Sequence, residues 1–244
     1  VIPQPPSLTP VAAAATWMAF LTAYGALIDV AALSAADTVV ITAASSSVGL
    51  AAIQIARRIG ALPVAVTRTA AKRPALLAHG AAHVIVTDED DLAESLTALA
   101  DAPGERPAAS GRADAASRGI RVVLNAVAGP MVEPLTSALS AGGLLIEYGG
   151  LSSQPTPFPV GNVLGRTLTL RGFLVHEIVT DPIRLAAATA FILDGLADGS
   201  LRPVIDKIFA FDEIVAAYRY LESNDQIGKV VVTVGERPVP PPSR

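Results

Sequence analysis

Residues Thr38 to Gly60 read TVVITAASSSVGLAAIQIARRIG, and their pattern decides the fold. Thr38, Val39, Val40, Ile41 and Thr42 form a β-branched run suited to a strand covered on both faces, and Ala43 to Ser47 offer only small side chains. Gly49 then opens a helix, whose first N–H groups lack intrahelical partners and whose dipole adds partial positive charge at the turn. Such a turn seats a phosphate. The same pattern also serves as a plain βα connection that binds nothing, so the rest of the chain has to choose.

Downstream, strands and helices alternate. Leu62 to Thr67 is a second strand, Ala70 to His79 a helix closed by Gly80, and His83 to Thr87 a third strand. An acidic cap at 88–91 starts a helix to about Ala100. Residues 101–119 (DAPGERPAASGRADAASRG) lack apolar periodicity and read as a flexible surface insertion. Strand Arg121 to Asn125, helix Pro130 to Leu139 and strand Gly143 to Tyr148 restore the rhythm. A Gly/Ser/Pro-rich loop follows, then strand Thr167 to Phe173 and a helix capped by Asp181 and Pro182 that runs to about Ala197. The expected fold is α/β, a doubly wound six-stranded parallel sheet of the Rossmann type spanning 13–202.

Outside that domain, 1–12 is an extended lead-in in which Thr9 and Pro10 cap the first helix. Strand Pro203 to Phe211, a helix from Asp212 to Glu222 and strand Lys229 to Val234 make a separate segment, and the proline-rich 235–244 reads as a disordered tail.

Composition excludes several functions. Net charge is −4 and the residues are 51% hydrophobic, which leaves no basic footprint for nucleic acid. The absence of cysteine removes disulfides, thiol nucleophiles and Cys-ligated zinc, and fits a reducing cytoplasm. Val11 to Ile28 is an uncharged run of 18 residues, but eight are Ala or Gly, Asp29 follows at once and no basic flank precedes it. It reads as a core helix, not a membrane span. No serine lies in a G-x-S-x-G elbow. His79, His83 and His176 do not form a ligand set, because Gly80 ends the helix between the first two and His176 is remote in sequence.

Four stretches in fixed order carry a family resemblance: Leu21 to Leu27 (LTAYGAL), Thr42 to Ala56 (TAASSSVGLAAIQIA), Glu147 to Gly150 (EYGG) and Ile227 to Thr233 (IGKVVVT). Together they resemble the medium-chain dehydrogenase/reductase superfamily, in its zinc-independent quinone oxidoreductase and enoyl reductase branch. The turn departs from the family's three glycines, with Ala43, Ser46 and Gly49 standing in those places. The resemblance implies a cofactor seat made by Ser45, Ser46, Ser47, Val48 and Gly49. It places Thr22 toward the nicotinamide, Asn125 and Val127 beside the ribose, Tyr148 and Gly149 in the next loop, the backbone from Phe173 at the carboxamide, and Lys229 near the phosphates.

At the end of the second strand an NAD enzyme would carry Asp or Glu for the ribose hydroxyls. Here stand Thr67 and Arg68, followed by Lys72 and Arg73, so NADP(H) is the expected cofactor, with Lys72 first and Arg68 second as 2′-phosphate ligands. A solvated basic helix start is the alternative reading of these residues, although cations there oppose the helix dipole. Zinc-dependent relatives place a cysteine four residues before the threonine aligned to Thr22, where this chain has Met18. No metal site is therefore expected.

Relatives carry about a hundred residues upstream that form a barrel-like catalytic domain, and 203–234 resembles the chain's return to it. Two functions remain open at this point. One is part of an NADPH-dependent reductase moving hydride to a small-molecule quinone or α,β-unsaturated carbonyl. The other is a dinucleotide-binding module without turnover. By resemblance, strand 167–173 is the sheet edge through which two copies would pair.

Overall fold

In the computed structural model, which describes residues 4–6, 8–35, 37–101 and 119–235, strand β1 (Thr38–Ile41) lies inside the sheet with Val39, Val40 and Ile41 fully buried. Both of its neighbours run parallel to it. They are β2 (Leu62–Thr67) and β4 (Ile120–Asn125), and the whole sheet has the order β3-β2-β1-β4-β5-β6. Here β3 is His83–Val86, β5 Leu139–Glu147 and β6 Thr169–Gly172. The chain therefore winds outward from β1 to one edge and returns to wind from β4 to the other. The crevice between the C-terminal ends of β1 and β4 is the topological switch point, where open α/β sheets bind ligands.

Helices cover both faces. Helix α1 (Pro10–Tyr24), continued by a π-helical segment Gly25–Val30, packs on α2 (Ser47–Arg58) and α8 (Pro182–Ala197). The stretch from Pro10 to Val30 is long and apolar enough to cross a membrane, yet 72% of its most apolar window is buried inside the fold. Its start is capped as expected, Ala12 N donating to Thr9 Oγ1 at 3.2 Å. Gly25 is required where α1 passes the loop after β6, since a Cβ there would lie 2.5 Å from Phe173 Cζ and 2.6 Å from Ile178 Cγ1. Helix α3 (Arg73–Ala78) adds Leu76 to the cluster on that same face, and the opposite face carries α4 (Leu92–Asp101), α5 (Val132–Ala138) and α6 (Val160–Arg166). Across it Leu96, Leu135, Val123 and Leu139 form a second buried cluster. Helix α7 (His176–Val179) is a single turn before α8, whose N-cap Asp181 accepts from Ile183 and Arg184 N–H.

Several elements differ in extent from the sequence expectation. The helix expected over 70–79 splits into a 3-10 turn, Ala70–Lys72, and α3, because Pro74 has no N–H to give in the first turn. Strand β6 is shorter than 167–173. Thr167 takes a left-handed backbone (φ 53°) to close α6, and Phe173 turns inward as a core side chain. Strand β5 starts earlier, at Leu139, which pairs with Ile120 across a register shift. The insertion expected at 101–119 and the tail at 235–244 lie, but for residues 101, 119 and 235, outside the described residues.

Residues 203–234 form a separate two-stranded parallel sheet of β7 (Ile205–Ala210) and β8 (Lys229–Thr233), joined by a 3-10 turn, Phe211–Glu213, and helix α9 (Ile214–Ser223). The small sheet is tied to the large one through the turn between β1 and α2. Gly228 N donates to Ser45 O at 2.8 Å, and Ser46 pairs with Gly228 in an isolated parallel bridge.

Candidate dinucleotide-binding site

The turn between β1 and α2 is built from its own backbone. Ala43 takes a left-handed conformation (φ 46°), where a residue with a Cβ costs roughly 1 kcal/mol and glycine almost nothing. The substitution of this first glycine is therefore tolerated as local strain. Ser46 caps α2, its Oγ accepting from Gly49 N at 3.1 Å. Gly49 cannot be replaced in the same way, because a Cβ would sit 2.6 to 2.7 Å from the Ala44 backbone. It lets helix and strand close on each other. Among the described residues, the N–H groups of Ser47 and Val48 have no partner and remain open at the helix start.

Beside this turn, a buried polar network ties together the ends of three strands. Thr42 Oγ1 donates to Asn125 Oδ1 at 2.7 Å and accepts from Ala126 N at 2.9 Å. Asn125 Oδ1 also takes Val127 N at 3.1 Å, while its Nδ2 donates to Glu147 Oε2 at 3.1 Å. Asn125 and Thr42 are fully buried, so the network fixes the loop after β4. That loop is strained as well, Ala128 standing at φ 59° and ψ −150°, a region otherwise left to glycine.

Glu147 closes the network with one oxygen and leaves the other, Oε1, buried without a hydrogen-bond partner. Burial pushes its carboxyl up to about 6 from 4.5, against the pull of hydrogen bonds from Asn125 and the Ala128 backbone. The folded chain thus binds this proton more tightly than the unfolded one. The stability tied to Glu147 is full below about pH 4.5 and is lost as pH rises through about 6. Partial solvent screening holds the effect to roughly 1 kcal/mol. Unfolding by urea at pH 5 and pH 7.5 is expected to show a smaller drop in Glu147→Gln than in the wild type, and equal drops would count against this assignment.

Burial pushes the Tyr148 hydroxyl up to about 12, with the Ser46 hydroxyl opposing the rise and Glu147 adding to it. It is neutral near pH 7 and serves as a wall of the turn. Gly149 is exposed, its position kept close to Ala126 O, 3.0 Å from where a Cβ would lie.

The basic residues after β2 take two different positions. Arg68 is exposed, and among the described residues its side chain has no hydrogen bond or ion pair, while its backbone oxygen accepts from Asp88 N at 3.1 Å. Lys72 is half-buried, with Nζ donating to Ser45 Oγ at 3.1 Å, Asn224 O at 2.5 Å and Gln226 O at 3.1 Å. Burial and the neighbouring Arg68 push its ammonium below the usual lysine range, and Asp225 and Asp206 oppose them. Thr67 is buried, its carbonyl accepting from Thr87 N at 2.9 Å.

The remaining sequence candidates are spread more widely. Thr22 is buried on α1, donating to Met18 O at 2.7 Å. Phe173 has its ring in the core against Gly25, and only its backbone is left for a ligand. Lys229 opens β8 with its N–H on Val204 O at 2.8 Å. Sequence reasoning missed the parts played by Thr42 and Glu147. A strand ending on a polar residue was the available signal for both. No group of three or more potential metal ligands occurs among the described residues.

With this geometry in view, the comparisons with known proteins become specific. The family described as zinc-binding dehydrogenase matches residues 47–192, from the first residue of α2 well into α8. The chain belongs to the zinc-binding dehydrogenase family. The matched part is the dinucleotide-binding half of the medium-chain dehydrogenases/reductases, an oxidoreductase-type domain.

Among its relatives, the spectinabilin polyketide synthase system protein NorB of Streptomyces orinoci is 34% identical over 234 residues, 96% of this chain and 10% of that protein. Of solved structures, the quinone oxidoreductase from Thermus thermophilus, solved also with NADPH, is 31% identical with a TM-score of 0.76. The match covers 95% of this chain and 68% of that one. The CurK enoyl reductase is 26% identical with a TM-score of 0.77, over 96% and 65%. The chain thus spans a tenth of the NorB protein's length and about two thirds of these solved reductases.

Proposed function

We propose that the chain is the NADP(H)-binding part of a zinc-independent reductase that moves hydride to an enone or a quinone. One observation carries the reading. An open helix start accompanies an arginine with no side-chain partner among the described residues at the end of β2, a strand end that carries Thr67 and Arg68 in place of the Asp or Glu that would receive ribose hydroxyls or repel a 2′-phosphate.

The residues present fit such a dinucleotide. The N–H groups of Ser47 and Val48, with the α2 dipole, would hold the pyrophosphate. Arg68 and Lys72 would flank the 2′-phosphate, and the loop from Asn125 to Ala128, held by Thr42 and Glu147, would line the ribose with Tyr148 and Gly149. Thr22 and the backbone from Phe173 stand on the nicotinamide side of that arrangement. NADPH, when bound, supplies the hydride. The chain's own share is to orient the dinucleotide through fixed dipoles and to keep the switch point in one geometry.

Independence from zinc is supported by the absence of cysteine and by Met18 at the position where zinc-dependent relatives hold one. The two named reductases favour an enone or quinone as hydride acceptor. The exposed edge at β6 favours pairing of two copies, the burial of α1 favours a core helix over a membrane span, and the absence of cysteine fits a cytoplasmic setting. Calorimetric titration with NADPH and NADH tests the reading. Tighter binding of NADPH is expected, and equal affinity would overturn it. If NADPH binds but neither an enone nor a quinone accelerates its oxidation, a binding module without turnover gains.

A further inference from the structure

Ala128 stands at φ 59° and ψ −150°, outside the regions open to residues with a Cβ, and Gly129 follows it at φ 64°. Such a backbone persists only where its surroundings hold it. Here the holding groups come from the loop after β5. On one side of Ala128, Val127 O accepts from Ser152 N at 2.8 Å, and on the other Gly129 N donates to Thr156 Oγ1 at 2.9 Å. Tyr148 N on Asn125 O at 2.9 Å and Leu151 N on Ala126 O at 3.1 Å carry the same contact back to the strand ends. The fit is close as well as bonded, since a Cβ at Gly129 would run into the Ser152 side chain. Ser152, Tyr148 and Leu151 make their bonds through the main chain. The bond to Gly129 depends instead on a single hydroxyl, that of Thr156, an exposed residue 27 positions further along the chain.

We propose that Thr156 is a positioning residue, whose hydroxyl pins the strained Ala128–Gly129 segment so that the loops after β4 and β5 form one preformed shelf for the nicotinamide half of the dinucleotide. The inference rests on the dinucleotide reading, and the sheet order gives it a side. The turn after β1 and the residues after β2 serve one half of a ligand laid across the crevice, while β4 and β5 end under the other half. Gly129 is buried, so loss of the Thr156 oxygen leaves its N–H without that acceptor and the strain at Ala128 without one restraint. A shelf that shifts by even about 1 Å no longer holds a reacting group in line.

Calorimetry on the whole chain with two probes tests this, NADPH and adenosine 2′,5′-bisphosphate, which lacks the nicotinamide half. Thr156→Val is expected to weaken NADPH about tenfold and to leave the bisphosphate within about twofold, and Thr156→Ser, which keeps the hydroxyl, should bind both as the wild type does. Ala128→Gly removes the strain, because glycine enters this backbone region at little cost. In that background Thr156→Val should therefore weaken NADPH by less than about threefold. Hydrogen exchange in the cofactor-free protein should quicken about tenfold at Val127, Gly129 and Ser152 N–H together in Thr156→Val. The proposal is overturned if Thr156→Val weakens both probes equally or neither, if serine fails to rescue, if Ala128→Gly leaves the loss undiminished, or if exchange changes at Gly129 alone. A wild-type chain that binds neither probe would sink the dinucleotide reading itself, and the positioning role with it.

Discussion

Asn125→Leu is expected to destabilise the chain by roughly 4 kcal/mol, the largest effect of any single change at the switch point. Leucine keeps the volume but removes every polar partner. The Thr42 hydroxyl loses its acceptor, Val127 N loses its cap, and Glu147 Oε2 loses its donor. Each such group left unpaired in a dry interior costs about 1 to 3 kcal/mol, and these costs do not simply add because the three share one network. Equilibrium unfolding of Asn125→Leu, Thr42→Val and the double variant would measure that sharing. The double variant should lose clearly less than the sum of the single losses. Additive losses would mean that the bonds act independently. Dinucleotide affinity should fall in parallel, since the loop carrying Val127 and the strained Ala128 would lose the Val127 N–H bond and keep the Ala126 N–H bond to Thr42 as its tether to the end of β1.

Gly49→Ala is expected to cost roughly 3 kcal/mol of stability and at least about tenfold in NADPH affinity. The added methyl would meet the oxygen, carbonyl carbon and Cα of Ala44, all backbone atoms between 2.6 and 2.7 Å away, and backbone cannot rotate aside as a side chain can. Helix α2 would have to lift from the turn, taking the open N–H groups of Ser47 and Val48 with it. Gly161→Ala in α6 is the control. Nothing lies within 4 Å of the position its Cβ would take, so stability there should hold or rise slightly. Thermal unfolding and calorimetry on both variants would separate the two effects, and a Gly49→Ala protein with wild-type affinity would refute the close-approach argument.

The winding of the sheet was legible in the chain because it rests on local signals. Val39 to Ile41 are β-branched and apolar in unbroken sequence, and each strand is followed by a helix long enough for a right-handed crossover. With those two facts the strand order follows, and so does the location of a ligand crevice. Element ends were less legible. Pro74 splitting a helix and Thr167 turning left-handed to end α6 depend on how neighbouring segments meet.

The site divides along the same line. Sequence alone determined a small-residue turn at a helix start, the absence of an acid after β2 and the absence of cysteine, since each is a property of residue type at a position. Only the tertiary structure decided what the polar groups do. Asn125 and Glu147 are 22 residues apart, and Lys72 and Gln226 are 154 apart, yet each pair shares a hydrogen bond. Partners so remote leave no periodicity to read. The same holds for Phe173, whose ring the fold drives into the core beside Gly25. A seat for a dinucleotide is written in the local chain. What its polar groups bond to is decided only when distant carbonyls fold over the turn between β1 and α2 and take up hydrogens of Lys72.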